Sequence, residues 1–476
     1  MLIKDKYNVC FIAIVTAYFL VFIYTCNDPF YGDSKSTISR LAVSVYQNNF
    51  SNVFYPKGID PGHPIFIPLI HASLWKIFGL DLFWSHLFNF IASLAALFLV
   101  KKIDSFYGFK NILLLLIAFN PIFLALSISL NTHIFLFLFT LSLLWSNLNN
   151  NLWGIIASLA LLLLIHNEGL VIVFAFLGTY LLMAKREKKL IYDILRLSTA
   201  FIPYCAWLIW HKWAVGWYIF PPEYSDFRGI GTSLVLLKNA GIIIWRLIDF
   251  GCFIILVFAF LWLSKNKNDK RWLFYACFSI LLVLGIWLTV KFSIAHRYFI
   301  PVFFVLSILS AAFLLEKSKK WLFISLFLLF SGNFWYYPGK QLSDANILFR
   351  HYYHLYAQIS KSEFANLNLY AMPPNESSFE FTHLKKPANV LATHSISSVK
   401  LLDSSVAIID GNLNGILPND VLKKIVNWPS YTFTSGAAWY TIYVHPSAVK
   451  SNVKFWPQRI SSTLELQLTQ WKNKLK

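Results

Sequence analysis

The stretch His63-Pro64-Ile65-Phe66-Ile67-Pro68-Leu69-Ile70-His71-Ala72-Ser73-Leu74-Trp75-Lys76-Ile77-Phe78-Gly79 decides how the chain is threaded. Residues 64–79 are apolar but short, and they hold Pro68, His71 and Lys76. A helix needs about 20 apolar residues to cross the hydrocarbon core. Whether this segment crosses sets the side on which every later loop lies.

Apolar runs read as spans recur around it. They fall at 8–26, 82–100, 110–127, 131–147, 152–165, 168–184, 194–215, 238–263, 272–290, 298–315 and 321–337. Only 13% of the residues are charged, against about 25% in soluble domains. The 476 residues therefore read as a polytopic membrane protein, not as several soluble domains. A net charge of +19 would suggest nucleic acid in a soluble chain. Here most Lys and Arg outside the C-terminal region sit in short clusters between apolar runs, as cytoplasmic positive charge requires, so no nucleic-acid partner is expected. Cys10, Cys26, Cys205, Cys252 and Cys277 show neither zinc-site nor disulfide spacing. The first run follows Lys4 and Lys6, and no small-residue cleavage site follows Thr25-Cys26-Asn27, so it reads as an uncleaved signal anchor.

Charge resolves the 64–79 segment. With a cytoplasmic N-terminus and no crossing at 64–79, four basic clusters fall in the cytoplasm. These are Lys101, Lys102 and Lys110; Lys185, Arg186, Lys188 and Lys189; Lys265, Lys267, Lys270 and Arg271; and Lys317, Lys319 and Lys320. A crossing would put the first two clusters outside. The expectation is 11 spans, with 64–79 an interfacial or re-entrant helix on the outer face and 13 spans as the fallback. The outer face then receives Asp28, Asp33, Asp60 and His63; His166, Asn167 and Glu168; Glu223, Asp226 and Arg228; and Lys291, His296 and Arg297. Ionisable groups at membrane depth are costly and tend to be functional.

Residues 1–337 thus form the transmembrane domain. From 338 to 476 charge rises and apolar runs shorten. Leu367–Met372, Asn389–Thr393, Ser405–Asp410 and Tyr431–Val444 are β-rich or alternating, and Asn346–Ser360 is helical in period. The fold class expected is an all-α polytopic membrane domain plus a small C-terminal α/β domain, extracytoplasmic by parity. Asp410-Gly411-Asn412 reads as a turn.

The first outer loop carries Asp33, an amphipathic helix at about 34–48, and Asp60-Pro61-Gly62-His63-Pro64. A carboxylate at the membrane surface can serve as general base toward a hydroxyl or hold a divalent metal through oxygen ligands. Equally, Asp33 can cap the helix and Asp60-Pro61-Gly62 can be only a turn. His166-Asn167-Glu168-Gly169 puts a His and a Glu between two short apolar runs and is assigned to a cavity, with a polar turn as the alternative. His71, His86 and His133 read as core or interfacial, and His211, Trp145, Trp153 and Trp217 as belt residues.

This layout resembles the C-type membrane glycosyltransferases, near the protein O-mannosyltransferases and the bacterial aminoarabinose transferases. His63-Pro64-Ile65-Phe66 through Trp75-Lys76-Ile77-Phe78-Gly79 is similar to their HPPLY…LFG stretch, and Asn120-Pro121 and Arg297-Tyr298-Phe299-Ile300-Pro301 match familiar positions. The resemblance covers roughly residues 8–337. The family's second proline is Ile65 here, and its Asp-Glu pair is Asp33-Ser34, which leaves one carboxylate.

The resemblance implies a sugar carried on a polyprenyl phosphate, moved with inversion to a glycan, lipid or protein acceptor outside the membrane. Asp33 is then the base, with Asp60 second. Arg297 and Lys291, helped by His296, meet the donor phosphate, since the Arg fork donates two parallel hydrogen bonds; the alternative is that both cations snorkel at helix ends. His63, His166 and Glu168 bind sugar hydroxyls or orient the acceptor. No cofactor is certain, and a divalent metal stays open. Short loops and abundant lysine suggest a bacterial inner membrane. A flippase or transporter of a lipid-linked sugar is the first rival, but it should show repeated halves, and none is visible. A polysaccharide polymerase or ligase is the second. It would need a large late outer loop, whereas the longest loop is the first, 27–63.

Overall fold

The computed structural model describes residues 2–31, 34–54, 62–183, 188–219, 231–290, 294–337, 343–351, 368–371, 390–392, 406–411, 425, 427–435 and 438–447. Asp33, Asp60 and Lys291 lie outside the described residues. The chain divides into one unit of Met1–Asn27 and Thr37–Asn333, and a second of Asp28–Ser36 and Phe334–Lys476.

The first unit is helical. In chain order its helices are α1 (Leu2–Thr25), α2 (Arg40–Gln47), α3 (Phe66–Phe78), α4 (Leu82–Tyr107), α5 (Ile112–Ala118), α6 (Pro121–Ile128), α7 (His133–Leu148), α8 (Leu152–Ile165), α9 (Glu168–Met183), α10 (Lys188–Ser198), α11 (Ile202–Val215), α12 (Ser233–Ile248), α13 (Phe253–Lys265), α14 (Lys270–Thr289), α15 (Ile300–Leu315) and α16 (Lys319–Ser331). Among the described residues, Asn8–Thr25, Leu82–Tyr107, Lys270–Thr289 and His296–Leu315 are each long and apolar enough to cross a membrane. Two bent pairs, α6 with α7 and α12 with α13, pass that test jointly. α15 is apolar all round and buried among α5, α7, α13 and α14, as a central helix must be. α1 instead exposes Ile12, Leu20 and Tyr24, a surface suited to lipid.

α3 has 13 residues, about 20 Å at the helical rise, shorter than a hydrocarbon core of about 30 Å. It packs against the amphipathic α2, which buries Leu41, Ala42, Val43 and Val45. His71 in α3 accepts or donates one bond with Ser85 Oγ at 3.0 Å. Burial, with some repulsion from His86, pushes His71 down to about 3, so its imidazole is neutral at ordinary pH.

Two expected spans are not continuous. The run at 110–127 is split into α5 and α6 at Asn120-Pro121. Pro121 has no N–H to donate and opens the new helix at its first turn, while Asn120 Oδ1 accepts from the Ile122 and Phe123 N–H groups at 2.9 and 3.3 Å. α6 and α7 then meet at 119°. The run at 238–263 is broken into α12 and α13, bent by 93°. The break passes through Phe250 at φ 52° and Gly251 at φ 78°. A Cβ on Gly251 would lie 2.2 Å from the Leu328 carbonyl oxygen, and one on Gly332 would lie 2.0 Å from the Phe250 carbonyl oxygen. The kink and the end of α16 therefore touch backbone to backbone, which only glycine permits at both places.

Broken helices expose carbonyls, and in lipid each unpaired one costs several kcal/mol. Side chains from other helices satisfy them here. Tyr18 donates to the Ala118 carbonyl at 2.8 Å, and Asn89 Nδ2 donates to the Leu126 and Ser127 carbonyls at 3.2 and 2.7 Å.

The second unit contains a five-stranded sheet of β1 (Asn368–Ala371), β2 (Val390–Ala392), β3 (Val406–Gly411), β4 (Ser430–Ser435) and β5 (Ala438–Val444), in the order β2-β1-β3-β5-β4. β1 pairs parallel with β2 and β3, and β5 pairs antiparallel with β3 and β4. The β-rich stretch at 431–444 is thus a hairpin, with the Thr432 and Thr441 hydroxyls 2.9 Å apart. The turn expected at Asp410-Gly411-Asn412 is corrected for its first two residues, Asn412 lying outside the described residues. Asp410 and Gly411 continue β3 opposite Thr441 and Tyr440, because the long β5 supplies a partner that outweighs the local turn signal. Of the helical stretch at 346–360, the described part is a 3-10 turn, Ile347–Arg350. Within this unit Asp28 accepts two hydrogen bonds from Arg350, at 2.5 and 3.2 Å, a bidentate pair that commits this carboxylate to structure.

Candidate functional site

Polar side chains gather where four helix junctions meet in the first unit. The first junction is the segment entering α3, which brings His63. The second is the α6–α7 break, which brings Asn131 and His133. The third is the α8–α9 hairpin with His166, Asn167 and Glu168, and the fourth is the 3-10 turn His296–Phe299 that opens α15.

The hairpin is made by its sequence. α8 has 14 residues and α9 has 16, and between them the backbone turns at His166 and Asn167, whose carbonyls accept from Gly169 and Leu170 N–H at 2.8 and 3.1 Å. Gly169 lies against the α8 backbone, where a Cβ would come 1.9 Å from the Leu162 carbonyl oxygen. Backbone cannot swing aside as a side-chain end can. Gly169→Val is accordingly expected to destabilise the protein by at least about 2 kcal/mol, read as a lowered Tm in detergent. Asn167 Nδ2 donates to the Gly62 carbonyl at 2.5 Å, tying the hairpin to the residue before His63.

Three imidazoles then lie in contact. The His63 and His166 rings stack with centroids 3.8 Å apart, and His133 and His166 are 5.2 Å apart. His133 Nε2 meets Glu168 Oε2 at 2.5 Å, and His166 Nδ1 is 3.9 Å from the same oxygen. On its other face His133 stacks with Tyr298 at 5.4 Å, and the Arg297 guanidinium stands 5.1 Å from the Tyr298 ring centre. Arg297 is only 7% exposed, which is unusual for an arginine. A cavity of about 20 Å³, room for one water-sized body, opens beside His133, Glu168, Thr289 and Tyr298. Among the described residues, His133, His166 and Glu168 are the group that can hold a metal ion, with one ligand atom of each within 4.8 Å of the others.

A second buried cluster stands beside the first along the 3-10 turn. Nε2 of His296 donates to Asp249 Oδ2 at 2.9 Å, both side chains being about 1% exposed. Asp249 also accepts from Trp245 Nε1 at 3.2 Å and from the Phe250 N–H at 2.8 Å. Arg246 donates through Nε to the Ile294 carbonyl, with its guanidinium 3.5 Å from His296 Nε2.

Of the residues singled out from sequence, His63, His166 and Glu168 come together, and Arg297 stands one residue away through Tyr298. His296 is held by Asp249 instead. His133 reads from sequence as a core or interfacial histidine; it is buried, but against Glu168. His211 reads as a belt residue and is corrected: it is buried, and Nδ1 lies 2.9 Å from the Trp217 carbonyl, so it ties down the end of α11. Asp249, Asn131 and Tyr298 carry no role in the sequence reading. The one sequence feature there is an Asp and a Gly two residues apart inside a 26-residue apolar run (238–263), too faint to mark Asp249.

The fold matches solved structures at low sequence identity. The fold is shared with ArnT from Cupriavidus metallidurans. The structure of that protein bound to undecaprenyl phosphate superposes with a TM-score of 0.55 at 10% identity, covering 93% of this chain and 99% of that one. Its apo structure gives a TM-score of 0.54 at 11% identity, over 96% of this chain and 100% of that one. Neither a protein-family model nor a curated protein sequence matches the chain.

Proposed function

We propose that this protein is a membrane glycosyltransferase that moves a sugar from a polyprenyl-phosphate donor to an acceptor hydroxyl on the extracytoplasmic face, with inversion at the sugar carbon. The observation that carries this reading is the buried Arg297 beside the His63, His133, His166 and Glu168 cluster, in a fold shared with a protein whose structure holds undecaprenyl phosphate. A cation sequestered from water binds a phosphate more strongly than one in bulk solvent, and Arg presents it with a fork that matches two oxygens. Lys291 is a second candidate for that phosphate, and His296 orients the segment that carries Arg297. His63, His166 and Glu168 line the place for sugar or acceptor. Asp33 acts as general base, with Asp60 second. The topology that goes with this reading has 11 spans, a cytoplasmic N-terminus in a bacterial inner membrane and residues 338–476 outside, contributing to acceptor binding.

The test is direct. Purified protein in liposomes is given a defined polyprenyl-phosphate sugar and a panel of glycan, lipid and peptide acceptors. Release of polyprenyl phosphate together with glycosylated acceptor is expected. Movement of the intact lipid-linked sugar between leaflets, with no bond broken, would instead identify a carrier.

A further inference from the structure

We propose that His133, His166 and Glu168 bind a divalent transition-metal ion, with Zn²⁺ the best fit, leaving one coordination position open toward the neighbouring cavity. The proposal stands on hydrogen-bond polarity and does not depend on the reaction proposed above.

Asn131 fixes the state of His133. Its Oδ1 accepts from the His133 backbone N–H at 3.0 Å, so that atom is the amide oxygen. The same oxygen is 2.6 Å from His133 Nδ1. An oxygen cannot donate, so Nδ1 carries the proton and donates to it. In a neutral ring Nε2 is then a lone pair, and it points at a carboxylate oxygen 2.5 Å away. Two acceptors at that distance require a cation between them.

His166 brings a second unprotonated nitrogen to the site: its Nδ1 lies 3.9 Å from Glu168 Oε2 and accepts a long bond from the Glu168 N–H at 3.3 Å, which yields when the lone pair turns to an ion. A proton can join His133 to Glu168 but cannot also join His166. A metal ion joins all three. Ligands about 2.0–2.1 Å from a tetrahedral Zn²⁺ are roughly 3.3 Å from each other. The observed 2.5 and 3.9 Å separations bracket that value, so side-chain shifts of less than about 1 Å complete the site.

The surroundings suit a metal as well. Asn131 on Nδ1 of His133 is the outer hydrogen bond that holds a ligating imidazole in the correct tautomer. Glu168 Oε1 is buried and makes no hydrogen bond among the described residues, leaving it for a second bond to the ion or to a bound water. Three protein ligands with an open fourth position are the pattern of a metal that acts on a ligand, not of a closed structural site, and the cavity beside His133 and Glu168 has room for that fourth group. Two imidazoles and a carboxylate accept Zn²⁺, Mn²⁺ or Fe²⁺.

Full-length protein in detergent, stripped with chelator and dialysed, is titrated with Zn²⁺ and analysed for bound metal. One ion per chain and a raised Tm are expected for the wild type. Co²⁺ in its place should give the d–d absorption of a low-symmetry site. Glu168→Gln and His133→Gln should each weaken binding by more than about tenfold, and Asn131→Ala by about tenfold through the outer hydrogen bond. Glu316→Gln, at an exposed pair with Lys265, should bind as the wild type does. Absence of Zn²⁺ uptake, Tm shift and Co²⁺ absorption in the wild type would overturn the proposal and leave an imidazolium–carboxylate pair. Unchanged stoichiometry in a folded Glu168→Gln, His133→Gln double variant would overturn it too. Because these readouts are equilibrium binding, an absence of sugar transfer leaves them unaffected.

Discussion

Replacing Asp33 with Asn is expected to lower the rate of sugar transfer by at least about 100-fold while leaving donor binding within about twofold, the signature of a lost general base. The amide keeps the size of the carboxylate but cannot take the acceptor's proton. Displacement of a lipid phosphate inverts the sugar carbon, so one base and a stabilised leaving group suffice, and no second carboxylate is needed to open and resolve a covalent intermediate. The first loop supplies a single carboxylate at this position because Ser34 follows Asp33. Asp28, the nearest alternative in sequence, is bound on both oxygens by Arg350. Steady-state transfer with saturating donor, measured for Asp33→Asn and Asp60→Asn side by side, checks the assignment. A rate loss confined to Asp60→Asn would move the base to the other end of the loop.

Asp249→Ala is expected to destabilise the fold by about 3–5 kcal/mol, the cost of removing one side of a buried, hydrogen-bonded polar cluster. Its carboxylate accepts from His296, from the Trp245 indole and from the Phe250 N–H, so truncation leaves three donors without their acceptor in a region closed to water. Asp249→Asn keeps one acceptor oxygen and should cost less. The Lys265–Glu316 pair is also in direct contact but stands 62% and 43% exposed, and solvent screening there reduces its worth to about 0–1 kcal/mol. Thermal unfolding in detergent of Asp249→Ala, Asp249→Asn and Glu316→Gln separates the two regimes.

The residues explain how much of this was legible beforehand. Long apolar runs announce α1, α4, α14 and α15, because a helix that crosses lipid must be apolar along its whole length. The hairpin at His166–Gly169 is legible because polar residues interrupt two short runs. The break at Asp249–Cys252 is not, since one Asp scarcely changes the mean hydropathy of a 26-residue run, and the kink depends on Gly332, about eighty residues later in the chain. His133 is illegible for the same reason: its partner Glu168 is 35 residues away, and nothing in the local pattern distinguishes it from a core histidine. Asp410-Gly411 shows the reverse failure, a strong local signal overridden by a strand that pairs from a distance. Carbonyl capping by Tyr18 and Asn89 belongs to this class as well, because side chains recruited across the bundle leave no periodic trace.

The mutual contact of Gly251 and Gly332 bears on how the molecule is made. Residues 249–252 emerge from the ribosome well before α16, so the kink has no backbone to rest on until the stretch around Leu328 arrives. Until then α12 and α13 are free to insert as one straight apolar helix, and Asp249 would sit in the middle of it with His296 not yet delivered beside it. The bend therefore gains its backbone support only once α16 has been made.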